Sequence, residues 1–272
     1  MLGTGSSDGW PNPWCAKPCC TSLVEAGIVR TQTSALIDRV LLVDPGAEAP
    51  RQAMRQNISL ASVRYVLVSH VHPDHLDPAF LMYRSWVTTE PLTVVGPKPV
   101  IDACKQWIRG PGVDFVTITA GRDVVLGPYR VRALPAAHEA HGEACLYAIA
   151  GPDATVLWGT DTGPWAPGVR QMLAGTTLDL VLLEETFGDS ADTTGGGHHN
   201  LATFALALGQ LREWGCAGRS TDVVAIHLSH HNPPPEQLYL RLRDIGARAV
   251  PDGTPIVAGG VRTSLILDGR RY

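Results

Sequence analysis

His70-Val71-His72-Pro73-Asp74-His75 places three imidazoles and one carboxylate within six residues. The stretch before it, Val63-Arg64-Tyr65-Val66-Leu67-Val68-Ser69, reads as a buried strand. Side chains alternate along extended backbone, so His70 and His72 turn to one side. Pro73 stops the strand and begins a turn. Asp74 and His75 then fall at the entry to the next helix. The pattern predicts two pairs of ligands facing a common point. Imidazole and carboxylate together suit zinc, manganese or iron. A solvated turn with surface histidines is a poor alternative, because four ligand-type residues in six positions directly follow a buried strand.

The elements that must carry this motif alternate between apolar runs of strand length and helical patterns. Strands are expected at Ser34–Ile37, Val40–Asp44, Val63–Ser69, Leu92–Val95, Phe115–Ile118, Tyr129–Leu134, Ala144–Ile149, Thr155–Gly159, Leu178–Leu183 and Val223–Leu228. Helices are expected at Ala49–Gln56, Pro78–Trp86, Pro97–Ile108, Pro167–Ala174, Leu201–Trp214 and Pro235–Ile245. Several begin beside proline, which a first helical turn accepts. Two to four strands come between helices, which argues against a purely parallel βαβα sheet. Two packed mixed sheets with helices outside fit better. Polar residues of metal-binding type fall where strands end: Asp44, His70, His138, Asp161, Glu184 and His227. Glu184 and Glu185 are expected to solvate their strand end. Trp10, Trp14 and Trp165 are expected to pack beside glycine- and proline-rich loops.

Composition narrows the partners. The 272 residues carry a formal net charge of −4, with 44% hydrophobic and 18% charged residues. That is globular composition. No run of Lys and Arg supplies the basic stripe of a nucleic-acid binder. No apolar stretch reaches the roughly 18 residues of a membrane span. The first residues lack a basic and long apolar leader, so a cytoplasmic location is expected. Of six cysteines, Cys15, Cys19 and Cys20 crowd into one segment. In a reducing compartment such a cluster points to metal or catalysis before disulfides.

Residues 70 to 75 resemble the His-x-His-x-Asp-His signature of the metallo-β-lactamase superfamily. The resemblance runs from Leu2 to about Gly253. It implies one domain over residues 1–272, an α/β fold built as a four-layer αββα sandwich of two mixed sheets flanked by helices. It also implies a ligand set. His70, His72 and His138 would hold one metal, Asp74, His75 and His227 the other, and Asp161 would bridge them. Asp44 resembles the family's early Asp, which supports the site without ligating. His141 competes with His138, which lies nearer its strand end. The implied cofactors are two zinc or manganese ions, with iron open.

A narrower resemblance is to phosphodiesterases that open a phosphoribosyl cyclic phosphate, and to the related tRNA 3′-processing nucleases. Leu2-Gly3-Thr4-Gly5-Ser6 carries part of it. Cys15-Ala16-Lys17-Pro18-Cys19-Cys20 carries more, since a comparable stretch there gives three thiolates to a structural zinc. His230, three residues after His227, would complete that site. Here Lys17 stands at the family's middle Cys position, and Cys19 would substitute. His198-His199-Asn200-Leu201, after Gly195-Gly196-Gly197, completes the likeness. It implies His199 as general acid or substrate contact, with His198 in reserve, and Asp74 beside His199 among the catalytic groups. Asn200 suits a helix N-cap.

The expected activity is metal-dependent hydrolysis of a small, cyclic or linear phosphodiester metabolite. The metals would ready a water for attack on phosphorus, and His199 would protonate the leaving alkoxide. The ligand set leaves open a lactone, thioester or β-lactam substrate, and a metal-bearing accessory protein without turnover. A tRNA nuclease is disfavoured by the acidic balance. A redox di-iron role is disfavoured because His72 stands where that branch usually carries Glu. The expected partner is a small molecule, with neither nucleic acid nor membrane, and a homodimer stays open.

Overall fold

The computed structural model describes residues 1–138, 142–191 and 197–259. Helix α1 (Pro18–Glu25) comes first, then strands β1 (Ala35–Ile37) and β2 (Leu41–Val43). Helix α2 (Ala49–Arg55), strand β3 (Tyr65–Leu67), helix α3 (Pro78–Ser85), strand β4 (Leu92–Gly96), helix α4 (Lys98–Trp107) and strand β5 (Val113–Thr117) complete the first half. These five strands form one sheet in chain order, parallel except for β1.

The second half opens with strands β6 (Asp123–Leu126), β7 (Tyr129–Pro135), β8 (Cys145–Ala150) and β9 (Thr155–Gly159), which pair antiparallel. Helix α5 (Val169–Met172), strand β10 (Leu180–Glu184), helix α6 (Leu201–Glu213), strand β11 (Asp222–Ile226), helix α7 (Pro235–Asp244) and strand β12 (Arg248–Ala249) follow. The seven strands lie in the order β12-β11-β10-β9-β8-β7-β6, with β9 to β12 parallel.

Apolar residues on both faces of each sheet set four layers. Leu41, Val43, Leu67 and Val95 of the first sheet meet Val131, Tyr147, Trp158, Leu182 and Ile226 of the second. Behind the first sheet, Val66, Val68 and Val94 pack on Leu81 of α3 and Val100, Ile101 and Cys104 of α4. Behind the second, Leu157, Val181, Leu183 and Ala225 pack on α1, α5, α6 and α7. Helix α6 shows why such segments fold. Asn200 accepts from Thr203 N while Thr203 Oγ1 accepts from Asn200 N, a reciprocal cap. Phe204, Ala207, Leu208 and Leu211 then recur at helical spacing and are buried. Each large one contributes about 1.5–3 kcal/mol by leaving water.

The expected αββα sandwich of mixed sheets is the one observed. Three elements were not expected. Helix α1 grows out of the cysteine-rich stretch, with Pro18 in its first turn and Cys19, Cys20 and Leu23 buried. Strands β6 and β12 are short and partly polar, so they leave no clear apolar run. Among the described residues no helix is long and apolar enough to cross a membrane.

Candidate metal centre

Six strand ends converge at one edge of the sandwich. Asp44 follows β2, His70 follows β3, His138 follows β7, Asp161 follows β9, Glu184 ends β10 and His227 follows β11. Asp44, Asp161 and His227 adopt positive φ of 47°, 47° and 58°. Side-chain-bearing residues seldom take this conformation, so the backbone is strained where three polar side chains turn inward.

Two groups of ligand atoms share Asp161, and a third, of Glu184, His198 and His227, adjoins them. His70, His72, His138 and Asp161 form one; Asp74, His75, Asp161 and His227 form the other. Within each group the ligand atoms lie within 4.8 Å of one another. Asp161 divides its carboxylate between them. Its Oδ2 lies 3.4 Å from His70 Nε2 and 3.6 Å from His138 Nε2. Its Oδ1 lies 3.1 Å from His75 Nε2 and 3.2 Å from His227 Nε2. All these residues but His72 are buried.

Neighbours fix the rings. Ser69 Oγ donates to Asp44 Oδ2 at 2.8 Å, so it accepts from His70 Nδ1 at 3.0 Å. Thr186 Oγ1 donates to Glu184 Oε2 at 2.5 Å, so it accepts from His227 Nδ1 at 2.9 Å. His75 Nδ1 donates to Asp44 Oδ2 at 3.1 Å. Each bond leaves Nε2 turned into the site, onto carboxylate oxygens for His75 and His227 and onto His72 Nδ1 at 2.9 Å for His70. Lone pairs and carboxylates repel unless a positive charge sits between them. His75 Nε2 shows the need most clearly. It is buried and makes no hydrogen bond, although oxygens of Asp74 and Asp161 lie at 3.0 and 3.1 Å.

The titration pattern has the same cause. Burial opposes a charge on His75, yet Asp161 and Asp74 beside it raise its pKa well above the usual value. Burial likewise opposes the charge of Asp161, but His227 and His75 hold its pKa well below the carboxylate range. Asp74 is also lowered, by His75 and His227 against its burial. Burial, with His70 and His138, pushes His72 down to about 4, so its ring is neutral near pH 7. The cavity calls for positive charge beside its carboxylates, which a proton on His75 supplies in part, and the donor set of nitrogen and carboxylate oxygen fits two divalent cations.

Asp44 holds this arrangement from behind. It is fully buried and accepts from Ser69 N at 2.7 Å and Trp158 Nε1 at 2.8 Å besides Ser69 Oγ and His75. It lies outside both ligand groups, the supporting place expected of it.

The tandem histidines differ from expectation. His198 stands at the site: its ring stacks on His227 at 5.4 Å and 9°, and lies 5.0 Å from His138. Its Nδ1 is 2.9 Å from Glu184 Oε1. Burial lowers its pKa, but Glu184 outweighs this and brings it up to about 9. His199, expected to face substrate, is fully buried. Its Nδ1 meets Thr203 Oγ1 at 3.1 Å, its carbonyl accepts from Thr186 N and Phe187 N, and its ring stands edge-on to Trp165. The cap at Asn200 starts α6 and turns His199 inward. Gly197, at φ 80°, sits so close to Ala137 that a Cβ would fall 1.9 Å from its carbonyl oxygen. That contact docks His198 beside His138. Residues 195, 196 and His141 lie outside the described residues.

Glu184 and Glu185 do not solvate their strand end; both are 0% exposed. Thr186 and Gly188 partner them from the same loop, whereas Thr162 and His198 reach Glu184 from others, a convergence without a local signal in the sequence. Trp10 is buried and Trp165 half-buried, whereas Trp14 is 94% exposed. The thiols of Cys15, Cys19 and Cys20 converge within 4.8 Å. His230, the expected fourth ligand, is not in that group; its Nδ1 pairs with Asp8 Oδ2 at 2.6 Å. Ser6 and Asn12 hold that Asp8 carboxylate in place. The His230 carbonyl accepts from Cys19 Sγ at 3.2 Å.

Comparison with known proteins agrees with this geometry. Residues 39–228 match the family described as beta-lactamase superfamily domain. A ribonuclease Z of Mycobacterium marinum is 31% identical over 121 residues, 42% of this chain; the match spans 38% of that protein's length. A diphosphatase of the PhnP family superposes with a TM-score of 0.72 at 20% identity, over 93% of this chain and 94% of the other. The metallo-beta-lactamase fold protein YhfI of Bacillus subtilis gives 0.71 at 18% identity, over 93% and 96%. These two show the shared fold.

Proposed function

This chain belongs to the beta-lactamase superfamily domain family, and from that premise we propose that it is a two-metal phosphodiesterase acting on a small molecule. The observation that carries the reading is the shared carboxylate of Asp161 between two groups of inward-facing ring nitrogens. His70, His72 and His138 would hold one cation and Asp74, His75 and His227 the other, zinc or manganese by donor type. Bound there, such a pair supplies activated water and positive charge for the phosphoryl oxygens.

The chain's own groups do the rest. Glu184 orients His198 through Nδ1, which leaves Nε2 as the nitrogen that passes a proton. The oxygen of water bonds to phosphorus, the bond to the leaving oxygen breaks, and His198 gives that oxygen its proton. A monoester and an alcohol result, and His198 is recharged from water. His198 takes the role first expected of His199. A diphosphatase and a ribonuclease Z among the similar proteins support phosphorus as the reacting centre. A net charge of −4 without a basic run supports a small substrate over RNA.

The test loads purified protein with zinc or manganese and presents bis(p-nitrophenyl) phosphate, a chromogenic lactone, a thioester, a β-lactam and a precursor tRNA. Phosphodiester turnover that disappears with chelator is expected. Lactone, thioester or β-lactam turnover a hundredfold more efficient, or specific cleavage of the tRNA, would overturn the reading.

A further inference from the structure

Phe187 is an aromatic side chain without an apolar home. It follows Thr186, is only partly buried, and belongs to none of the three apolar clusters among the described residues. Its ring instead stands edge-on to two imidazoles, His198 at 5.6 Å and His231 at 5.2 Å. His198 is the innermost of these, already against His138 and His227. The rings of His198, Phe187 and His231 therefore run outward from the metal centre in one line of contacts.

The backbone under Phe187 is fixed. Phe187 N donates to His199 O at 2.9 Å, and Phe187 O accepts from Ser190 N at 2.8 Å. Gly188 O accepts from Leu201 N at 2.9 Å, and Gly188 N reaches the buried Glu185 at 2.9 Å. Gly188, at φ 52°, presses on the loop carrying His231, where a Cβ would fall 2.3 Å from His231 O. Burying a phenyl ring is favourable, and leaving part of one in water on a rigid corner forgoes some of that gain. A ligand with a flat apolar face would recover it.

We propose that Phe187, backed by His231, is a stacking shelf for a planar aromatic ring on the leaving-group side of the substrate. The proposal rests on the reading of the metal centre as a phosphoryl site, since it places phosphate on the paired ligand groups and the ring beyond His198. The substrate class is then a phosphodiester whose leaving group bears a flat heterocycle, of nucleobase type. A sugar phosphate alone fills the inner half of the site.

Calorimetric titration of the metal-loaded protein tests this without turnover, using AMP and ribose 5-phosphate as probes. AMP is expected to bind about tenfold more tightly, the effect of one stacked base. Phe187→Leu keeps apolar bulk but not the plane, and is expected to abolish the difference while leaving ribose 5-phosphate unchanged. Phe187→Tyr is expected to keep it. Equal binding of both probes, or a preference that survives Phe187→Leu, overturns the shelf and leaves the phosphoryl site standing. Failure of both probes to bind overturns the phosphoryl site and the shelf with it. Phe187→Tyr serves as the folded reference if Phe187→Leu does not fold.

Discussion

Asp44→Asn isolates the support of the metal centre from its ligands. The carboxylate accepts four hydrogen bonds, from Ser69 N, Ser69 Oγ, Trp158 Nε1 and His75 Nδ1, and is fully buried. Asparagine matches its shape but turns one oxygen into a donor. Three of those bonds end on Oδ2. If the amide nitrogen stands there, up to three donors face a donor. If the amide flips, Ser69 N is opposed instead, and the charge is lost either way. Each buried group left without a partner costs about 1–3 kcal/mol. One to two such groups give a loss of roughly 3 kcal/mol. For a chain of this size each kcal/mol shifts Tm by about 2–4 °C, so the fall is about 10 °C. His75 also loses the partner that sets its tautomer, and such partners are worth about 10–100-fold in metal affinity. Thermal melts and metal titrations of the purified variant read both effects. Tm and both metal affinities equal to wild type would refute the hydrogen-bond reasoning. A normal Tm with metal loss alone would show Asp44 to be a ligand.

Asp161→Asn removes the shared charge, and elemental analysis is expected to show the metal content falling from two to at most one per chain. His198→Ala is expected to slow hydrolysis of alkyl phosphodiesters by about 10²–10⁴-fold with metal content intact, while His199→Ala lowers Tm and changes turnover less; the reverse pattern in steady-state kinetics would return the acid role to His199. Burial raises Glu185 to about 8 from 4.5. Its contribution to stability is therefore full below pH 4.5 and is lost as pH rises through about 8. The difference of about 3.5 pH units corresponds to roughly 3–5 kcal/mol. Glu185→Gln is expected to melt higher than wild type at pH 9 once both are normalised at pH 5. Parallel Tm–pH curves would contradict this.

The first four candidate ligands were legible because they are neighbours in the chain, where alternation and a proline settle their directions. His138, Asp161 and His227 were legible only through position, each at the end of an apolar run, and their chemistry rested on a likeness. The choice between His198 and His199 was not legible. It turns on one residue of phase, set by the cap at Asn200 and by Gly197 against Ala137, contacts far apart in sequence. Glu184 and Glu185 were misread for a related reason. A carboxylate at a strand end looks solvated until the fold of its own loop, and for Glu184 the approach of Thr162 and His198, is known. His230 had the right spacing for the thiol cluster, but spacing could not show that its ring would lie outside that group, with Nδ1 on Asp8, 222 residues away.

Each ligand group draws half its members from either sheet. His70 and His72 follow a strand of the five-stranded sheet, His138 and Asp161 strands of the seven-stranded one; Asp74 and His75 likewise face His227 and Asp161. An ion in either place would act as a rivet through that rim of the sandwich, joining halves that otherwise meet there through mutually repelling lone pairs. Chelation should then do more than silence chemistry. It should let that rim open first, so that amides of the loops after β3 and β9 exchange with solvent sooner than those at the opposite rim.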